Sequence, residues 1–429
     1  MTALVLVLTL LLSYLVGAVP FGYLIARSRG IDIRKQGSGN IGATNVGRVL
    51  GRPFGILVFV LDFAKGAVPA LLAKEWAAAQ TLALPADCLP VTAAVAAFLG
   101  HLYPIYLRFR GGKGVATAAG AVSVLLPEAT LAALLVWLAV VLASRYVSLA
   151  SLVAAVVLCG FRLALTPQPW SAEQRIRTLF CLLAAGFIVL RHRANLGRLL
   201  RGDENRLAET PALEHFRKVL HAWVLGLWFG SGVFFSFVVG WDLFTTFERV
   251  AAQAPAEREV WFPMWNAYDG PSPDPIFPEP LRKEQGVRAA GVALEPLFHG
   301  YFGIQAACAA LATATALAWC RAAAERIHTV RAGVLLTALA TVALGWWLMG
   351  VVEDLREQRN SAFDAMVRHS PPRDDAIRTA VEARQEFARW HLYSLGVNTV
   401  TVLLVTVAMA QAAYLPRSPD AASPPSSQG

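Results

Sequence analysis

The chain has 429 residues, 56% of them hydrophobic and only 16% charged, with a mean hydropathy of +0.50, a balance that excludes an ordinary soluble domain. The net charge of +9 falls largely in short loops between apolar segments, where it serves topology and attraction to anionic lipid. No basic and aromatic patch on a soluble domain points to nucleic acid, and Cys88, Cys159, Cys181, Cys308 and Cys320 stand singly, so neither a disulfide framework nor a cysteine metal site is expected.

Eleven apolar stretches of roughly spanning length predict an all-α integral membrane protein. Seven cover about 2–26, 54–74, 88–106, 112–127, 129–144, 147–165 and 176–191; after a polar linker at 206–218, four more cover about 219–244, 298–319, 332–352 and 387–414. The fourth to sixth are short. The first lacks a basic n-region and a clear cleavage site before Pro20-Phe21-Gly22, so it reads as a span and not as a signal peptide. Lys and Arg gather between Arg27 and Arg52, between Arg108 and Lys113, at Arg145, and along Arg191–Arg201 and Arg321–Arg331. The positive-inside rule then places these loops in the cytoplasm, the N-terminus outside and the C-terminus inside. Two longer connections, 247–297 with Trp261 and Trp265 and 353–386, fall on the outer side, and the Pro/Ser-rich tail 416–429 reads as disordered.

Polar blocks interrupt the first 205 residues, each at the end of an apolar segment. In Gly37–Asn45, the residues Ser38, Asn40, Thr44 and Asn45 supply hydroxyl and amide donors on a glycine-flexible loop, and Arg48 follows within bidentate reach of a phosphate. The same residues also read as a turn capping the helix that begins near Ala43. In Arg110–Thr117, the glycines Gly111, Gly112 and Gly114 expose backbone N–H groups beside Lys113, with Thr117 closing the block; the alternative is a basic loop that only sets topology. Ser148 follows Arg145 at a helix start, where serine is also a common N-cap. In Arg191–Leu196, His192 and Asn195 share a helix face, and His192 is the one group in these blocks that titrates near neutrality. The pattern is built to hold anions at one membrane face.

These blocks, with His101-Leu102-Tyr103-Pro104 ahead of the glycine loop and Gly197-Arg198-Leu199 after the last, closely resemble the bacterial acyl-phosphate-dependent glycerol-3-phosphate acyltransferases. The resemblance covers roughly half the chain and implies a seven-span acyltransferase bundle over 1–205, followed by about four further transmembrane helices. It implies acyl phosphate and sn-glycerol 3-phosphate as substrates, membrane lipids as surroundings, and the bacterial inner membrane as location. It implies catalytic roles for His192, Lys113 and Ser38, with Asn40, Thr44, Asn45, Arg48, Gly111, Gly112, Gly114, Thr117, Ser148 and Asn195 binding substrate. Because phosphate leaves readily from a mixed anhydride, positioning and charge stabilisation suffice, and no Gly-x-Ser-x-Gly elbow is present. No carboxylate cluster stands in the blocks, so neither metal nor cofactor is expected. His192 reads either as the acceptor of the hydroxyl proton or as a phosphate holder, with a substrate oxygen taking the proton; the resemblance favours the second.

Other matches are set aside. Gly37-x-Gly39-x-x-Gly42 lacks the strand of a dinucleotide site, and His369-Ser-Pro-Pro-Arg-Asp374 is broken by two prolines. Asp62 and Lys65 lie inside the second span and read as a membrane-embedded ion pair that orients its helix. The segment 219–415 resembles, weakly, an uncharacterised family of four-span bacterial membrane domains; Gly226-x-x-x-Gly230 there predicts close helix packing, and His391 and Asn398 read as interfacial or packing residues. The competing function is a membrane transporter of a phosphorylated metabolite, although no inverted repeat relates the two halves.

Overall fold

The computed structural model of the chain describes residues 2–80, 84–166, 168–253, 282–322, 326–367 and 373–415. The described residues are helical without strands and fall into two compact units, Met1–Ala208 and Glu209–Gly429. Among them, nine helical segments are long and apolar enough to cross a membrane, and one bent pair makes a tenth. The protein is therefore an all-helical integral membrane protein.

The first unit holds α1 (Thr2–Ala18), α2 (Phe21–Ser28), α3 (Ala43–Leu50), α4 (Arg52–Ala78), α5 (Cys88–Leu102), α6 (Val115–Leu125), α7 (Pro127–Ser144), α8 (Val147–Leu165), α9 (Arg175–Arg191) and α10 (Arg193–Arg201). Leu8, Leu11 and Leu12 of α1 point away from the bundle, as lipid permits. Phe98, Leu102, Val122, Leu125, Phe180 and Ile188 pack α5, α6 and α9 into one core. Helices α4 and α6 meet backbone to backbone: a Cβ on Gly66 would stand 2.0 Å from the Thr117 carbonyl oxygen. α6 stops at Leu126, whose φ of −143° and ψ of 65° leave the helix, and Pro127 starts α7, where a missing N–H costs nothing. With 11 residues, α6 is only about 16 Å long, about half the hydrocarbon thickness. The fourth expected span is thus a real helix that reaches part-way into the bilayer before α7 returns.

In the second unit, α11 (Pro211–Val233) runs through a wider π-helical turn, Phe234–Val239, into α12 (Gly240–Ala252); α13 (Arg282–Ala322), α14 (Arg326–Val367) and α15 (Asp374–Ala412) follow. At 42 residues α14 is about 63 Å long, twice what a bilayer core needs. Residues 282–297 and most of 353–386, expected as connections, are therefore helical. Hydropathy falls there, but the charges pair across helices. Glu284 accepts from Arg384 at 3.0 Å, Arg288 pairs with Asp364 at 2.6 Å, and Phe363, Met366 and Ala380 bury an apolar contact between them. Trp261 and Trp265, the His369 motif and the tail 416–429 lie outside the described residues. Gly226 and Gly230 are exposed with open space where a Cβ would stand, so the expected close packing does not occur there within the described residues. Asn398 joins Tyr301 and Ser236 in a hydrogen-bonded chain, and His391 stacks on Phe387.

Candidate active site

The Gly37–Asn45 block folds around Asn45, which opens α3 and is 2% exposed. Its Oδ1 accepts from the Ser38 backbone N–H at 2.8 Å, and its Nδ2 donates to the carbonyls of Asn40, Gln36 and Ile33 at 2.9, 3.0 and 3.4 Å. Gly37 adopts φ +58°, and a Cβ there would meet Asn45 Oδ1 at 2.3 Å, so only glycine fits the clamp. Asn40 Oδ1 is likewise spent on the Gly42 N–H at 2.8 Å. These two amides hold the loop, while Ser38, Thr44 and Arg48 stay exposed at its rim.

The second block is held from outside itself. Arg191, at the end of α9, donates to the carbonyls of Gly111 at 2.9 Å and Gly112 at 3.0 Å. Beneath the loop lies His101, close enough that a Cβ on Gly112 would meet its Nε2 at 2.2 Å. His101 Nδ1 lies 3.7 Å from Asp62 Oδ1, which pairs with Lys65 at 2.7 Å, and Lys65 donates to the Val19 carbonyl at 2.8 Å. The expected ion pair in α4 thus continues through His101 of α5 to the glycine loop and ties the link between α1 and α2 to it at Val19. Gly114 enters α6 with φ +83°, turning the chain sharply so that Lys113 projects into the cavity. Burial is the largest influence on the Lys113 ammonium, and Arg198, Arg191 and Arg48 add to it against Glu204, bringing its pKa down to about 8.

Helices α9 and α10 meet at a 55° bend centred on His192. There Nδ1 lies 2.8 Å from the Ile188 carbonyl, which only accepts, so Nδ1 carries a proton and Nε2 keeps the lone pair of the neutral ring. One turn on, Asn195 accepts from Lys113 with Oδ1 and donates to Glu204 Oε1 at 2.6 Å with Nδ2. Ser148 Oγ donates to the same Oε1 at 2.8 Å, and Arg198 Nε to Oε2 at 2.8 Å.

Ser38, Asn40, Thr44, Asn45, Arg48, Lys113, Gly114, Ser148, His192 and Asn195 line one cavity of about 580 Å³. Three nominated residues do not. Thr117 is fully buried against α4, and Gly111 and Gly112 press on the end of α5 with their carbonyls turned to Arg191, so they shape the loop and leave the cavity to Lys113. Away from the polar end the cavity is apolar, lined by Phe59, Phe63, Leu134, Trp137 and Leu158. Sequence reasoning passed over Arg191 as a loop anchor, His101 as its floor, and Glu204 and Arg198 in the donor cluster. The adjacent carboxylates Asp203 and Glu204 after the basic run Arg191–Arg201 were the one signal for Glu204.

A sequence profile described as glycerol-3-phosphate acyltransferase matches residues 7–202. The glycerol-3-phosphate acyltransferase of Aquifex aeolicus (strain VF5) is 44% identical over 195 residues, 45% of this chain and 95% of that protein. That of Myxococcus xanthus (strain DK1622) is 46% identical over 197 residues, 46% and 96% of the two chains. A solved structure of an integral membrane glycerol 3-phosphate acyltransferase in its glycerol 3-phosphate form is 39% identical, with a TM-score of 0.43, covering 47% of this chain and 96% of that one.

Proposed function

The chain belongs to the glycerol-3-phosphate acyltransferase family of phospholipid biosynthesis, and we propose that its first unit moves an acyl group from acyl phosphate to the 1-hydroxyl of sn-glycerol 3-phosphate. The products are 1-acyl-glycerol 3-phosphate and inorganic phosphate. One observation carries the reading: anion donors from four separate sequence blocks line one cavity whose other end is apolar. The apolar end suits an acyl chain and the polar end suits two phosphates.

In this reaction the substrate hydroxyl oxygen attacks the acyl carbonyl carbon, and the bond from that carbon to the phosphate oxygen breaks. Lys113 and Arg48 face the acyl phosphate and stabilise the charge that develops on it. Ser148, Asn195 and Arg198 hold the phosphate of glycerol 3-phosphate, and Ser38 and Thr44 border the hydroxyl. The hydroxyl proton passes to an oxygen of the departing phosphate, and that protonated oxygen donates to Nε2 of His192, whose ring is fixed by Ile188, which keeps the phosphate in place. The mouth of the cavity opens to the cytoplasm, as the concentration of Lys and Arg around it supports.

The test is phosphate release from acyl phosphate by the purified full chain, with and without glycerol 3-phosphate. Release that depends on glycerol 3-phosphate, with lysophosphatidic acid as product, is expected. Robust turnover with acyl-CoA in place of acyl phosphate would refute the assignment of the donor.

A further inference from the structure

Glu204 has no place in the reaction as derived above, yet it sits at the centre of the donor cluster. Its two carboxylate oxygens collect three donors from two helices: Ser148 Oγ at 2.8 Å, Asn195 Nδ2 at 2.6 Å and Arg198 Nε at 2.8 Å. Its side chain is 6% exposed. Burial alone would push the carboxyl up, but the hydrogen bonds from Asn195, Ser148 and Arg198 outweigh it and hold the group below the usual carboxylate range. A hydroxyl, an amide and a guanidinium converging on one oxyanion make the donor set that a phosphate monoester also requires.

The backbone around Glu204 is built differently from the donors that hold it. Ser148 stands in the first turn of α8, and Asn195 and Arg198 are on α10, whereas residues 203–210 have no regular structure. That segment is fastened on both sides, by the Asp203 N–H to the Arg198 carbonyl at 3.0 Å and by the Leu207 N–H to the Arg145 carbonyl at 2.8 Å. Glu204 itself reaches in between these fixed points. A carboxylate and a phosphate cannot share these donors, because two anions at contact repel and each donor proton serves one acceptor well.

We propose that Glu204 is a built-in occupant of the phosphate subsite, competing with the phosphate of glycerol 3-phosphate for Ser148, Asn195 and Arg198. The inference rests on the acyltransferase reading of the cavity. The carboxylate satisfies the buried donors Ser148 and Asn195 together with the half-buried Arg198, and keeps them aimed where the substrate needs them. A doubly charged phosphate held also through its glycerol, which Ser38 and Thr44 border, displaces it. A singly held inorganic phosphate binds against this competition, so Glu204 selects for the substrate over free phosphate.

The experiment compares the full chain with E204Q, which keeps the size and one acceptor oxygen but loses the charge and the second acceptor. The readouts are inhibition by inorganic phosphate against glycerol 3-phosphate, and direct binding of inorganic phosphate by calorimetry. Phosphate is expected to bind E204Q about tenfold more tightly, the scale of one hydrogen bond to a charged group, and KM for glycerol 3-phosphate is expected to fall. A purely structural Glu204 predicts the opposite, with weaker phosphate binding and a higher KM, and that result or no change would overturn the proposal. E204D, whose shorter arm cannot reach all three donors, provides a second comparison with the same expected direction and decides the matter should E204Q not fold. A wild-type chain that turns over acyl phosphate beside an unchanged E204Q refutes only this inference, whereas a wild-type chain without turnover refutes the acyltransferase reading itself.

Discussion

Replacing Lys113 by Ala removes the ammonium that enters the cavity and bonds to Asn195 Oδ1. The loss of one buried, charge-assisted contact to a developing anion is worth about 2–4 kcal/mol, so kcat/KM should fall about 30- to 900-fold. The pH profile makes the claim sharper. The Lys113 ammonium is depressed to about 8, so the charged form that binds phosphate dominates below that pH and is lost as pH rises through it. For the wild-type chain, kcat/KM should therefore drop about tenfold between roughly pH 7 and pH 9, following the free enzyme's group. A phosphate monoester titrates near pH 6 and is already doubly charged across this window, so the drop belongs to the enzyme. In Lys113→Ala the profile should be flat over the same range, and in Lys113→Arg the drop should vanish while activity stays low, because a guanidinium does not reproduce the geometry. A loss below tenfold, or an equal alkaline drop in Lys113→Ala, would refute the role assigned to this residue.

Asn45→Ala should lose the four hydrogen bonds of the loop clamp, cost about 1–3 kcal/mol of stability and lower the melting temperature by several degrees. Activity lost at an unchanged melting temperature would point instead to direct substrate contact. Residues 1–208, the first compact unit, should carry acyl transfer by themselves; a folded but inert truncation beside an active full chain would contradict that. With the five cysteines replaced, single cysteines at Ser38, Lys113, Ser148 and Asn195 should be protected from an impermeant reagent in intact cells, and one at Asp375 should react. Labelling of any of the four blocks from outside would break the shared site and favour the transporter reading.

The polar residues that line the cavity were legible in the sequence by their type, and those that act through a partner far along the chain were not. Lys113, Ser148, His192 and Asn195 announce themselves by chemistry and spacing at the ends of apolar runs. Arg191 also stands in one of the polar blocks, but its contacts with the Gly111 and Gly112 carbonyls lie 80 and 79 residues away, and nothing local encodes them. Asn45 looked like a ligand donor because an amide is one; only the fold shows both ends of it already spent. Hydropathy found α6 and α7 at nearly their true places, since Leu126-Pro127 separates two apolar runs, yet it measures greasiness and not reach. It also ended α14 too early and started α13 and α15 too late, because charges such as Glu284 on α13 and Arg384 on α15, which lower the local hydropathy, neutralise each other between helices.

The ion pair in α4 bears on how the protein is made. Asp62 and Lys65 are three residues apart on one helix, with Oδ1 and Nζ 2.7 Å apart. Each charge alone at the centre of a nascent span costs about 2.5–3.5 kcal/mol during insertion, whereas a helix that carries its own counter-ion enters the lipid as a compact dipole. α4 can thus leave the translocation channel before α5 has been synthesised, and His101 and the glycine loop are later recruited to a charge pair already waiting in the bilayer.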